Sequence, residues 1–329
     1  MLSRVAESCF WMSRYIERAE TSARLLDVNM QLLLDFENQD HGVVDADTKH
    51  WVPILASLED QELFQELYGE LTAESVQEFV AFEPKNPNSI YSCIGRAREN
   101  ARTIREQISS EMWEQLNRLY LGLRSSSARV DFRNNPSNFF QSIAIGSHLF
   151  QGITDATMTH GLGWDFLQVG KYLERADSTS RVLDIKYHIL LPQGQQVGGA
   201  VDLIQWMAVL RSCSAMEAYL KSKVGQVTSW QIAEFLVLHQ SFPRSIRFCV
   251  DQLDLALHRI SGMNAVSYGN EVERLAGMLR SDLDYAAIDS IFQIGLHQYL
   301  DSIQARLNDI SGSLLKTYCQ WLEIDSSAA

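Results

Sequence analysis

Apolar residues recur near the start of the chain at Val5, Cys9, Met12, Ile16, Ala19, Ala23, Leu26, Met30 and Leu33. Steps of mostly three and four residues put them on one side of a helix, so the pattern predicts one long helix over 2–37. The stretch 38–50 is polar, has no period and reads as a loop. Short helices are expected over 51–58, 60–69 and 73–82. FEPKNPN at 82–88 is a second loop, and Asn88 or Ser89 can cap a helix running to about residue 123. SSSARVDFRNNP at 125–136 reads as a third loop. Further helices are expected over 137–160, 163–191, 199–224, 229–240, 243–262, 268–283 and 285–323. No segment shows sustained two-residue alternation, and only six prolines interrupt 329 residues. The fold class is therefore all-α, a multi-helix bundle.

The helical pattern is written twice. SRYIERAETSARLLDVN at 13–29 returns as GKYLERADSTSRVLDIK at 170–186, with Tyr15, Glu17, Arg18, Arg24 and Asp27 each matched 157 positions later. NPNSIYSCI at 86–94 returns as FPRSIRFCV at 242–250, at an offset of 156. Two blocks with nearly one offset argue for duplication of a large unit, too long for a solenoid repeat. Two helical halves, 1–160 and 161–329, are expected to form one compact domain. The join falls near Gly161–Gly163, where glycine breaks the period, so GLGWD at 161–165 reads as a helix junction.

At about 100° per residue, Arg4, Glu7, Trp11, Arg14 and Arg18 share one face of the first helix. That line continues as Leu25 and Leu32. The aliphatic end should be buried and the charged end should line a polar pocket, with Arg4, Glu7, Arg14 and Arg18 largely buried and paired. Glu17, Glu20, Arg24 and Asp27 form another face. The corresponding face of the repeat carries Trp164, Gln168, Lys171, Arg175, Val182 and Ile189. If the halves pack about a pseudo-twofold axis, the two helices are neighbours. Arg14, Arg18, Lys171 and Arg175 then form a cationic cluster suited to a carboxylate, a phosphate or an acidic tail. The alternative is a set of ordinary salt bridges, worth only about 0.3–0.5 kcal/mol each when exposed.

A second anion site is conceivable at FPRSIR, where Pro243 would open a helix and Arg244 and Arg247 would flank its first turn. The alternative there is a plain helix start with solvated arginines. Asp254 and His258 read as a surface pair. No HExxH, Glu-x-x-His pair, Walker motif, GxGxxG or GxSxG is present, so no metal or cofactor is expected.

Charge narrows the class further. The chain carries 28 basic and 41 acidic residues, a net charge of −13, which argues against nucleic acid or an anionic membrane. No apolar run approaches a membrane span. The five cysteines are scattered without a CxxC, which suits reduced thiols and a cytoplasmic location.

The opening MLSRVAESCFWMSRYIERAETSARLLDVN resembles the start of the alpha-E family of bacterial helical proteins. The likeness continues through the second ERA segment and FPRSIRF, across essentially the whole chain. Its motif positions are Arg4, Glu7, Trp11, Arg14, Tyr15, Glu17, Arg18, Glu20, Arg24, Tyr172, Glu174, Arg175, Pro243 and Arg244. The family's acidic residue after the second ERA is here the shorter Asp177. The resemblance implies an all-helical fold and a circularly permuted ATP-grasp protein as neighbour or fusion partner, often with a transglutaminase-like protease. That setting implies peptide synthesis or modification through ATP-driven amide-bond formation.

Three readings follow. The chain is a noncatalytic partner of such a ligase, binding substrate or offering a docking surface. Or it is an enzyme, with Glu7, Glu17 or Glu174 as general base. Or it is a scaffold whose charges specify helix packing. A glutamate among arginines has a lowered pKa and makes a poor base at neutral pH, which favours the first over the second.

Overall fold

The stripe at the start of the chain forms one uninterrupted helix, α1 (Ser3–Glu37). Val5, Cys9, Met12, Ile16, Ala19, Ala23 and Leu26 are buried along it. The computed structural model describes residues 1–37, 46–58, 60–188, 199–222, 227–264 and 267–319. Among these are sixteen α-helices and no strand. After α1 come α2 (Ala46–Ser57), α3 (Gln61–Leu67), α4 (Ala73–Phe82), α5 (Ile90–Thr103), α6 (Ser110–Arg124), α7 (Ala128–Asn134) and α8 (Pro136–Thr157). The chain then continues through α9 (Leu162–His188), α10 (Ala200–Ser212), α11 (Met216–Ser222), α12 (Ser229–Leu238), α13 (Ile246–Ser261), α14 (Glu271–Asp284), α15 (Ile288–Ile294) and α16 (Leu296–Leu314).

The two longest helices, α1 and α9, lie side by side at the centre. They run parallel and nearly in register: Phe10 meets Gly170, Arg14 meets Glu174, and Leu25 and Val182 line one cleft. The approach depends on Gly170. A Cβ there would lie 2.3 Å from the Phe10 carbonyl oxygen, a backbone atom that cannot swing aside. Each central helix also has matching company. α5 and α8 pack on α1, with α6 against both; α13 and α16 pack on α9, with α14 against both. α10 from the later part of the chain packs on α1, and α2 from the earlier part packs on α9. One buried apolar cluster, from Val5 to Leu314, runs through all of this.

Helix starts recur at matched positions. Thr72 and Thr228 accept the N–H groups of Ser75 and Gln231 to cap α4 and α12. Ser89 and Ser245 accept those of Ser92 and Phe248 to cap α5 and α13. Cys93 and Cys249, one turn on, direct their thiols to the carbonyls of Pro87 and Pro243.

Several expected boundaries move. The helix expected to reach residue 123 ends at Thr103 and restarts at Ser110, where Ser109 caps α6. The expected loop at 125–136 contains α7, and Asn135 with Pro136 then opens α8. The segment 199–224 breaks at Cys213–Ala215, where Ser214 takes φ 52°. The last expected helix is split by Gly295, whose φ of 105° no side-chain-bearing residue adopts readily. α2 begins at Ala46, inside the expected loop at 38–50, of which 38–45 lie outside the described residues.

Candidate functional site

The charged positions of α1 and α9 meet across the central contact and exchange partners. The Glu174 carboxylate accepts Arg14 Nε at 2.6 Å and Arg18 Nε and Nη2 at 2.6 and 3.1 Å. In the opposite direction, Glu17 accepts Arg175 Nε and Nη2 at 2.8 and 2.9 Å. Each glutamate of an ER step is thus held by the arginine of the other helix. Glu17 and Glu174 are buried, and an unpaired charge there would cost several kcal/mol, so the exchanged pairs fix which turn of α1 lies beside which turn of α9.

A second ring of contacts closes round these pairs. Arg14 Nη1 donates to Ser311 Oγ at 3.0 Å, and Arg18 Nη1 to Asn88 Oδ1 at 2.7 Å. Asn88 Nδ2 in turn donates to Asp60 Oδ1, and Gln151 Nε2 to Glu17 Oε1 at 3.0 Å. Glu20, three residues after Glu17, accepts Arg24 from the next turn and Arg244 Nη2 at 2.8 Å from the loop before α13. His148 Nε2 stands 3.4 Å from it. Asp177 occupies the matching place on α9 and accepts Arg181 Nε at 2.9 Å.

This setting decides what the acids can do. Burial pushes the Glu174 carboxyl up, but Arg18 and Arg14 outweigh it and hold the group at about 2. Burial acts on Glu20 likewise, and Arg244 and Arg24 hold it well below the usual carboxylate range. The Arg18 guanidinium is held charged by Glu174. Neither acid is a base at neutral pH. Burial pushes the thiols of Cys9, Cys93, Cys213 and Cys249 up to about 12, which removes them as nucleophiles.

The remaining candidates divide. Arg4 and Glu7 are exposed, contrary to the expectation that they are buried and paired. Trp11 stacks on Tyr15 with Arg14 over its ring at 5.1 Å, and Arg96 lies over Tyr15. Lys171, expected to join the cationic cluster, places Nζ over the Tyr172 ring at 4.5 Å. Burial and the neighbouring Arg175 push its amine down to about 8. Arg14, Arg18 and Arg175 do gather, but on the carboxylates of Glu17 and Glu174 instead of an open anion site.

The FPRSIR segment is likewise corrected. Its helix begins at Ile246 behind Ser245, so Pro243 stands before the helix. Arg244 turns to Glu20, whereas Arg247 pairs with Asp284 at 2.8 Å. The two guanidiniums therefore form no joint site. Asp254 and His258 are buried, not a surface pair, and Asp254 binds Arg280 at 2.8 Å. Trp164, in the first turn of α9, stacks on His160 just before that helix.

Sequence reasoning missed two features. Beside the central contact lies a cleft of about 110 Å³ whose walls include Arg18, Thr21, Ser57, Asn88, Asp177 and Arg181. The pairing of Asn88 with Arg244 at an offset of 156 was the signal that would have pointed to it. Two turns along α9 from Asp177, Asp184 lies with His297 and Asp301, close enough to hold a metal ion. The two ring nitrogens of His297 stand 2.8 and 3.4 Å from carboxylate oxygens of Asp184 and Asp301, an arrangement that serves a protonated imidazole.

Known proteins place this arrangement in context. The chain is 24% identical over 345 aligned positions to Uncharacterized protein Rv2567 of Mycobacterium tuberculosis and to Uncharacterized protein Mb2597 of Mycobacterium bovis. Each match covers 95% of this chain, which spans only 36% of the relative's length. No solved structure matches it significantly. A family model described as a predicted alpha-helical domain with a conserved ER motif matches residues 1–319. The chain carries ER steps at 17–18 and 174–175 in its two central helices, and it belongs to the alpha-E family.

Proposed function

We propose that this chain is a noncatalytic helical component of an ATP-grasp amide- or peptide-ligase system, binding substrate or docking the ligase. The family is linked to circularly permuted ATP-grasp proteins. The observation that carries the reading is the state of the ER glutamates. Both are buried and held by arginines of the other helix, so the ER residues clamp two helices together, and Glu174, kept ionised, is a poor general base. No helix among the described residues is long and apolar enough to cross a membrane. The greater length of the mycobacterial relatives suits a component that works joined to other parts. A transglutaminase-like protease is a second partner within the same proposal.

We also infer that the halves 1–160 and 161–329 arose by duplication. The matched caps, the matched company of α1 and α9 and the reciprocal ER pairs support this. The functional reading is tested by co-expressing the chain with its neighbouring ATP-grasp protein. Co-elution, with ATP-dependent amide formation that needs both chains, is expected. Separate elution together with turnover of a peptide-like substrate by this chain alone would overturn it.

A further inference from the structure

The carboxylates at positions 20 and 177 occupy matching turns of α1 and α9 but are not equally satisfied. Glu20 receives Arg24 from its own helix and Arg244 from the loop before α13. Asp177 receives Arg181 from its own helix on Oδ2, while its buried Oδ1 has no hydrogen-bond partner. Asp177 is only 7% exposed, and a buried carboxylate oxygen without a donor is costly. The cause is readable. The position that matches Arg244 is Asn88, whose short side chain is engaged with Arg18 and Asp60. Where the second half of the chain supplies a guanidinium, the first half leaves the cleft of about 110 Å³, far more than one water needs.

The walls select the occupant. Asp177 lines the cleft, so a cationic nitrogen bound there has its carboxylate as counter-charge. Arg18 uses one N–H of Nη1 and one of Nη2 on Asn88 and Glu174, which leaves a second N–H on each. Thr21 and Ser178 add hydroxyls at the half-buried rim. The described walls hold two arginines, Arg18 and Arg181, and two acids, Glu174 and Asp177, so a ligand carrying both signs is matched and one carrying a single charge is not. We propose that this cleft binds the head group of a free α-amino acid, its ammonium on Asp177 and its carboxylate on Arg18. The proposal deepens the substrate-binding side of the ligase reading, for an amino acid is the amine component that amide formation consumes.

Occupancy can be measured without the ligase, which separates this proposal from the partner reading. Equilibrium dialysis of the full chain with radiolabelled glycine or alanine is expected to show saturable binding in the millimolar range or tighter. Ethylamine and acetate should each compete poorly. Asp177→Asn keeps the shape, removes the charge and should weaken binding about tenfold or more. Asn88→Arg should fill the cleft with the missing guanidinium, abolish binding and leave the unfolding temperature unchanged or raised. If Asn88→Arg does not fold, Asp177→Asn decides alone. Wild-type protein, folded by circular dichroism, that binds neither amino acid overturns the proposal. So does Asp177→Asn protein that binds as tightly as wild type. Failure of the chain to co-elute with the ATP-grasp protein would leave this binding result untouched.

Discussion

Glu17 and Glu174 stand at matched positions in the same dipeptide, yet their surroundings differ. Glu174 is gripped by two arginines, Arg14 and Arg18, because position 14 is an arginine that reaches across to it. Glu17 has one close arginine, Arg175, with the Gln151 amide and Arg244 at 3.8 Å. The residue matching Arg14 is Lys171, which lies over Tyr172 instead. The lesson is that the ER step fixes the helix pair, whereas the residues around it set how much charge each side tolerates. The Glu174 side is over-supplied with cations and stable without outside help. The Glu17 side recruits an amide and a distant guanidinium.

The largest expected effect breaks that comparison at its stronger end. Glu174→Ala strands Arg14 and Arg18 in a buried place and should cost about 3–5 kcal/mol, as for breaking a buried pair. Glu17→Ala should cost measurably less, because Arg244 keeps Glu20. Urea unfolding of both variants checks the order, and equal midpoints would dissolve the asymmetry. Next comes the contact that brings both sites together. Gly170→Ala pushes a methyl group into the Phe10 carbonyl and should destabilise by about 1–3 kcal/mol. Gly163→Ala, against the flexible Met158 side chain, should be far milder.

A smaller effect is read from pH. The Glu174 carboxyl titrates at about 2 when folded and near 4.3 when unfolded. Between those values the unfolded chain holds more protons, so the stabilisation present above about pH 4.3 is lost as the pH falls toward 2. Glu174→Gln should flatten that part of the stability profile. A pH effect of similar size at the alkaline end belongs to Lys171. Its folded value of about 8 lies below the unfolded value near 10.4, so stability should rise with pH across that window. Lys171→Met should remove the rise and slightly raise the midpoint at neutral pH.

Much of the frame was legible in the sequence. The stripe from Val5 to Leu33 gave α1, the 157-residue offset pointed to α9 as its neighbour, and Ser89 was visible as a cap. The partner of each charge was not legible. Glu17 and Arg14 are one turn apart and suggest an intrahelical bridge, but both sides reach the other helix, because burial makes the bidentate interhelical pair the better solution. Arg4 and Glu7 continue the same face, but helical periodicity does not encode where that face opens to solvent. The breaks at Ile104 and Gly295 depend on tertiary turns that helical periodicity does not encode. The cleft at Asp177 needed a comparison of Asn88 with Arg244, two residues whose roles diverge only when the helices are placed.

The exchanged ER pairs also constrain the order of events at the ribosome. Residues 1–160 emerge with Arg14, Arg18 and Glu17 facing the place where α9 will sit, and their counter-charges are encoded after residue 170. At roughly 5–20 residues per second, the 157 positions between Arg18 and Arg175 delay the second ER step by on the order of ten seconds. Through that interval the charges on its central helix face keep their hydration, because burying them unpaired would cost several kcal/mol.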